Sequence, residues 1–254
     1  MPFQQREQNG LVWFTADVLN QIPHGFSTRI GGVSPAPWDS LNLRPNQGDG
    51  PEALRENYPP EAFLSLMNFL GTHDTPRILT VLGADNVPDS KADRAVYCLS
   101  PAQRQIGLER LRLAALILFT FPGAPTVYYG DEAAMEGWED PFNRAGYPWE
   151  QEDTDLKAHF AELARFRRSF PALQAGVLHW IWTSGPLLIF ARELDGQLLT
   201  TVVNAADVSQ ALLLPWSAPP ARDLLTGQRF IPTDNAISLT LPPRSGLLLQ
   251  TDLP

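Results

Sequence analysis

Two clusters of polar side chains carry the chemistry of this sequence. The first is Thr72-His73-Asp74-Thr75, with Arg77 two residues on. An imidazole and a carboxylate side by side can hydrogen-bond vicinal hydroxyls, the pattern a sugar presents. The plainer reading of a His-Asp pair is a turn or capping device. The second cluster holds Asp131, Glu132, Glu136, Glu139, Asp140, Asn143 and Arg144, interleaved with Trp138, Phe142, Tyr147 and Trp149. Rings stack on pyranose faces and carboxylates take hydroxyls, so this alternation also suits sugars. The plainer reading is a solvated acidic loop whose aromatics pack on the surface beneath.

Both clusters follow short apolar runs. Met67–Gly71 reads as a buried strand ending at the first, and Thr126–Tyr129 as a second strand ending at the loop Gly130–Trp149. Gln103–Phe121 reads as a helix, amphipathic in its first half and apolar all round in its second, so that end should be buried. Leu156–Arg168 is the next helix, with Thr154 as N-cap and Pro171 as terminator. Strand, helix, strand, helix is two β/α units in series, and functional groups in such folds sit just after strand ends. The roughly 110 residues of this segment cannot hold a closed eight-unit barrel of about 250.

The flanks read differently. Residues 1–58 are rich in turn signals, with short strands at Leu11–Thr15 and Ile22–Arg29. From 172 the period is that of strands: Val177–Trp182, Leu187–Arg192, Leu198–Val203, Ala211–Leu214, Ile237–Leu241 and Gly246–Gln250, with Asp195-Gly196 as a hairpin turn. Six such runs predict a small antiparallel sandwich packed on the Leu156–Arg168 helix.

Composition limits the partners. The 254 residues carry a net charge of −9, which disfavours nucleic acid and anionic membranes. The longest apolar run, Leu113–Phe121, is far short of the ~20 residues of a spanning helix. A single cysteine, Cys98, excludes an internal disulfide and a multi-cysteine zinc site. A soluble, cytoplasmic protein without metal or other cofactor is the expectation.

Three strings in the second part of the chain resemble the α-amylase family of glycoside hydrolases: LMNFLGTHDTPRILTVLG (Leu66–Gly83), FTFPGAPTVYYGDEAAMEGWEDPFNRAGYPW (Phe119–Trp149) and LPPRSGLLL (Leu241–Leu249). The likeness covers roughly 57–254 and is nearest to the neopullulanase, cyclomaltodextrinase and maltogenic amylase branch. It implies that Met67–Gly71 and Thr126–Tyr129 are barrel strands seven and eight. His73 then contacts hydroxyls of the sugar at the cleavage point, Asp74 is the catalytic carboxylate that stabilises the transition state, and Asp140 and Arg144 belong to a sugar-binding loop. The fold class implied is α/β plus all-β: the last quarter of a (β/α)8 barrel (59–173), an antiparallel C-terminal β-sandwich (174–254) and a short α+β fragment (1–58). The substrate class implied is an α-glucan or maltooligosaccharide.

Residues 1–58 resemble another family. Ile22–Tyr58, with HGFSTR, GGVS, SLNL and RENY, is similar to the start of the laccase-domain proteins, also labelled polyphenol oxidases or purine-nucleoside enzymes. That family's two histidines and cysteine lie downstream of this stretch; Cys98 and His159 sit in the amylase-like part, and His24 packs locally. The seam falls near Glu56–Pro59 and reads as a fusion, a deletion remnant or an assembly chimera.

Retaining hydrolysis needs a nucleophilic carboxylate and a carboxylic acid about 5–5.5 Å apart. In the amylase family these stand at the ends of strands four and five, and nothing in residues 1–58 resembles those motifs. Asp131 and Glu132 match a structural strand-end motif and are poor substitutes. The expectation is a glycoside-hydrolase fragment, impaired or inactive alone. A non-catalytic α-glucan-binding module and a remnant of a purine-nucleoside enzyme are the alternatives. Unpaired barrel edges predict self-association, with Leu113–Phe121 as the sticky surface.

Overall fold

A computed structural model describes residues 64–251 and, at backbone level, three strands before them. The strands β1 (Phe3–Gln8), β2 (Leu11–Ala16) and β3 (Phe26–Ser27) form an antiparallel sheet in the order β1-β2-β3. Strand β2 was expected, and β3 lies within the expected Ile22–Arg29. Strand β1 was not: its Gln-Gln-Arg-Glu-Gln run offers no apolar alternation. Expectations for the seam and His24 fall outside the described residues.

The chain divides into two compact units, residues 1–67 with 122–124 and residues 68–121 with 125–254. In the middle of the chain, β4 (Met67–Phe69) and β5 (Ala124–Thr126) form a two-stranded sheet. Both are shorter than the apolar runs suggested, and β5 begins two residues earlier. Burial was expected, yet Met67 and Phe69 are 62% and 47% exposed.

The second unit is organised by α3 (Pro101–Thr120). Short helices α1 (Ile78–Gly83) and α2 (Lys91–Val96) precede it. Helix α3 starts earlier than its apolar pattern, at a capping box. The Ser100 hydroxyl accepts from Gln103 N, and the Gln103 side chain accepts from Ser100 N. Its apolar second half is buried, as the all-round pattern required: Leu113, Ala115, Leu116, Leu118 and Phe119 lie in the core. The expected sticky surface is therefore mostly covered. What stays open is a groove of about 260 Å³ along Asn68–Leu70, Ala114, Ile117, Leu118 and Phe121.

Two buried arginines finish α3. Arg167 Nη1 donates to the Phe119 and Phe121 carbonyls, and Arg192 Nη1 to that of Thr120. Arg192 also donates twice to the Gly176 carbonyl, at 3.2 and 3.0 Å. Burial lowers both guanidinium pKa values to about 10. The last carbonyls of a helix have no partner within it, and here two side chains supply them.

Helix α4 (Thr154–Ser169) takes Asp153 as its N-cap, whose carboxylate accepts from Leu156 N at 2.9 Å. Thr154, the expected cap, is the first helical residue. Pro171 opens a further helix, α5 (Pro171–Ala175), where its missing N–H costs nothing.

The rest is antiparallel β: β6 (Val177–Trp182), β7 (Leu187–Leu194), β8 (Gln197–Asn204), β9 (Gln210–Pro215), β10 (Ala221–Asp223), β11 (Arg229–Phe230), β12 (Ala236–Leu241) and β13 (Ser245–Thr251). Six of them make one sheet in the order β11-β10-β13-β8-β7-β6, and β12 pairs with β9. Between the two sheets lie Ile189, Val202, Leu214, Trp216, Ile237, Leu239 and Leu249. The β7–β8 hairpin turns on Asp195 (φ 50°) and Gly196 (φ 80°), the paired positive values of a type I′ turn. The other face of the large sheet packs on α3 and α5, while α4 packs on those two helices. Leu199, Val203 and Leu248 meet the helical core there. The approach is close: a Cβ on Gly246 would stand 2.7 Å from a Leu116 methyl.

Candidate functional site

The first polar cluster is a turn that spends its threonines on itself. Thr72 Oγ1 accepts from Asp74 N at 3.1 Å, and Thr75 Oγ1 accepts from Thr72 N at 3.0 Å. Held this way, His73 and Asp74 project outward, with Asp74's side chain 73% exposed and its carboxylate 3.4 Å from His73 Nε2. The turning device and the exposed pair are thus different residues of one cluster.

The second cluster separates into spent and presented groups. Glu136 accepts from Leu99 N at 2.8 Å and pairs with Arg104. Glu139 pairs with Arg94. Glu132 accepts from Gly130 N within its own turn, at 2.9 Å. Trp138 is buried edge-on against Tyr97, centroids 5.6 Å apart, so it is packing and not a sugar platform. Asp140 and Arg144 remain exposed, 3.4 Å apart, Asp140 just before the 3-10 turn Phe142–Arg144 and Arg144 its last residue.

That turn brings the two clusters together. Asn143, fully buried, donates from Nδ2 to the His73 carbonyl (2.9 Å) and to the Thr75 carbonyl (2.7 Å). Arg144 Nε donates to the His73 carbonyl at 3.2 Å, and Arg144 Nη2 stands 3.8 Å from the Asp74 carboxylate. Asp74 and Asp140 therefore flank one guanidinium, with His73 beside them. Such an arrangement offers donors and acceptors to a polyhydroxylated ligand. All four expected site residues converge. Asn143's part had no sequence signal, because its acceptors are main-chain carbonyls some 70 residues away in the chain.

Beneath the site lies a buried ion pair. Arg77 is 1% exposed, so the cation noted beside His73 is structural. Its guanidinium lies 4.3 Å from the Tyr128 ring centroid and 4.6 Å from that of Tyr129, donates to the Tyr129 carbonyl, and stands 3.4 Å from Asp131. Asp131 is 3% exposed, and burial raises its carboxyl to about 6 despite Arg77. Gly71 keeps this packing possible, for a Cβ there would meet Asp131 Oδ2 at 2.8 Å. A carboxyl of raised pKa suits a general acid, but this one is sealed from any ligand.

Residues 56–171 match the family "Alpha amylase, catalytic domain", and residues 23–69 match "Multi-copper polyphenol oxidoreductase laccase". The two matches overlap around the expected seam. The amylopullulanase of Thermoanaerobacter thermohydrosulfuricus is 31% identical over 79% of this chain and 14% of that protein. Neopullulanase 2 of Thermoactinomyces vulgaris is 30% identical over 76% of this chain and 30% of that protein. The debranching enzyme of Nostoc punctiforme superposes with a TM-score of 0.59 at 30% identity, over 79% of this chain and 36% of that structure. The chain thus spans well under half the length of these relatives. Residues 57–254 resemble the C-terminal part of an α-amylase-family glycoside hydrolase of the neopullulanase and cyclomaltodextrinase branch, and the segment before them resembles the start of the laccase-domain family.

Proposed function

We propose that this chain is an α-amylase-family fragment that binds α-glucans through His73, Asp74, Asp140 and Arg144 and does not cleave them by itself. The convergence of two loops on one guanidinium carries the reading: Arg144 lies between Asp74 and Asp140, and Asn143 ties its turn to the His73 loop. In this reading β4 and β5 correspond to barrel strands seven and eight, and 174–254 to the C-terminal β domain. Asp74 would steady positive charge on a bound sugar ring. Bond cleavage asks in addition for a nucleophile and a proton donor on opposite sides of the glycosidic bond. The carboxyl of raised pKa, Asp131, is buried against Arg77 and cannot reach a ligand. A cytoplasmic location fits the single cysteine, and self-association through the β4–β5 edges fits the open Met67 and Phe69 side chains of β4.

Titration calorimetry with maltotriose and maltotetraose tests binding, and release of reducing ends from starch, pullulan and cyclodextrin tests turnover. The reading expects oligosaccharide binding that Asp74→Asn and Arg144→Ala weaken, with no release. Robust release abolished by Asp74→Asn, or no binding by the unaltered chain, overturns it.

A further inference from the structure

The loop that carries Asp140 and Arg144 ends in a feature the site does not use. Trp149 is 75% exposed, the most open tryptophan among the described residues. It is not a frayed side chain on a loose segment. Trp149 N donates to the Tyr147 carbonyl at 3.0 Å, and Gln151 N to the Pro148 carbonyl at 3.0 Å. Between them Glu150 is held at φ 66°, a left-handed conformation unfavourable for a non-glycine residue. Asp153 N then ties the exit of the turn to the Ala133 carbonyl, at 3.3 Å. The Tyr147 ring supports Trp149 from one side, centroids 4.6 Å apart and tilted by 53°. Lys157 Nζ, held by Glu152 at 3.0 Å, stands 5.8 Å from the Tyr147 ring, so a charged hydrogen-bond donor borders that ring.

A scattered exposed aromatic is ordinary. A tryptophan fixed at the tip of a strained turn, backed by a second ring that an ammonium borders, presents an apolar face near a group that binds hydroxyls. The apolar face of a pyranose and its equatorial hydroxyls complement that combination. We infer that Tyr147 and Trp149 form a second glucan contact, a stacking platform for a chain that extends beyond the Asp74–Arg144 site. This rests on the α-glucan reading above and adds a preference for length. Trp149 is five residues from Arg144, so their backbones lie within about 18 Å. One long glucan can therefore occupy both places, and the second contact gains from the effective concentration set by the first.

Affinity electrophoresis of the full chain in gels containing amylopectin, set beside calorimetry with maltotriose, tests the inference. Trp149→Ala should weaken amylopectin retention by about tenfold, the loss of one stacked contact in a two-point attachment. Trp149→Phe, which keeps a ring, should retain most of it, and Trp149→Leu, which keeps only apolar area, should not. Arg144→Ala should weaken both ligands. Trp149→Ala with undiminished amylopectin retention, or Trp149→Leu equal to Trp149→Phe, overturns the platform while leaving the glucan site standing. Retention of amylopectin that depends on Trp149 in a chain that ignores maltotriose would sustain the platform and overturn the site.

Discussion

Replacing Asn143 with alanine removes the latch between the two loops of the site. The side chain is fully buried and its Nδ2 makes two neutral hydrogen bonds, 2.9 Å to the His73 carbonyl and 2.7 Å to that of Thr75. Each such bond contributes about 1 kcal/mol net, so about 2 kcal/mol is lost. Two smaller effects oppose one another. Asn143 Oδ1 is buried without a partner, and its removal is a gain. The Thr75 carbonyl loses its donor, while that of His73 keeps Arg144 Nε at 3.2 Å. If the ligand needs the latched arrangement, 2 kcal/mol corresponds to about a 30-fold fall in maltotetraose affinity. Calorimetry reads that fall, and urea unfolding reads a loss of the same order or less, since the loop can open without the core. Asn143→Asp should do more harm than alanine, because it keeps the size and turns the donor into a charged acceptor facing two carbonyls. An aspartate variant equal to the unaltered chain in both affinity and midpoint would refute the reasoning.

Other outcomes follow from groups already described. Burial favours the protonated form of Asp131, with a folded pKa of about 6 against about 3.9 unfolded. The folded state then holds more proton than the unfolded one between those values, so stability falls as pH rises through them and levels off above. Between pH 5 and 7 the loss is about 1 kcal/mol, and urea midpoints of Asp131→Asn across that range should lack this component. Ser100→Ala removes the capping box of α3 and should cost about 1 kcal/mol in thermal unfolding. Arg192→Leu orphans the Thr120 and Gly176 carbonyls at once and should cost about 3 kcal/mol or more, far beyond the exposed control Arg222→Leu.

Strands β9 and β12 were legible because a half-buried strand writes its burial as period two, β7 and β8, buried on both faces, because they read as short apolar runs, and the Asp195-Gly196 turn set one register. Strands β10 and β11, three and two residues long, are too short to show a period. Helix α3 was legible from Gln103 by its apolar residues. Its true start lies in the Ser100-Pro101-Ala102-Gln103 cap, a signal in hydrogen-bonding side chains that an apolar count passes over. The site divides along the same line. His73, Asp74, Asp140 and Arg144 were named from their motifs, and the structure joins them. Their supports leave no trace in spacing: Asn143 binds main-chain carbonyls, which any residue type provides, and Arg77 lies against two tyrosine rings far along the chain. Of the acidic loop residues, Glu132 serves its own turn, while Glu136 and Glu139 pin the loop to α3 and α2, in keeping with the plainer reading of that acidity.

The two arginines at the end of α3 also decide how this unit comes apart. Arg192 belongs to β7, yet it holds the last turn of a helix 72 residues earlier in the chain and the backbone between α5 and β6. Gly246 of β13 lies against the same helix. If the sheet leaves, the Thr120 carbonyl of α3 loses its donor, and if the helix leaves, the buried Arg192 guanidinium of β7 loses an acceptor, so the two melt as one cooperative foldon. Amide protons in the last turn of α3 and in β7 should then exchange with solvent at a common free energy. Proteolysis between α5 and β6 should leave a nicked but associated protein, not a free β domain.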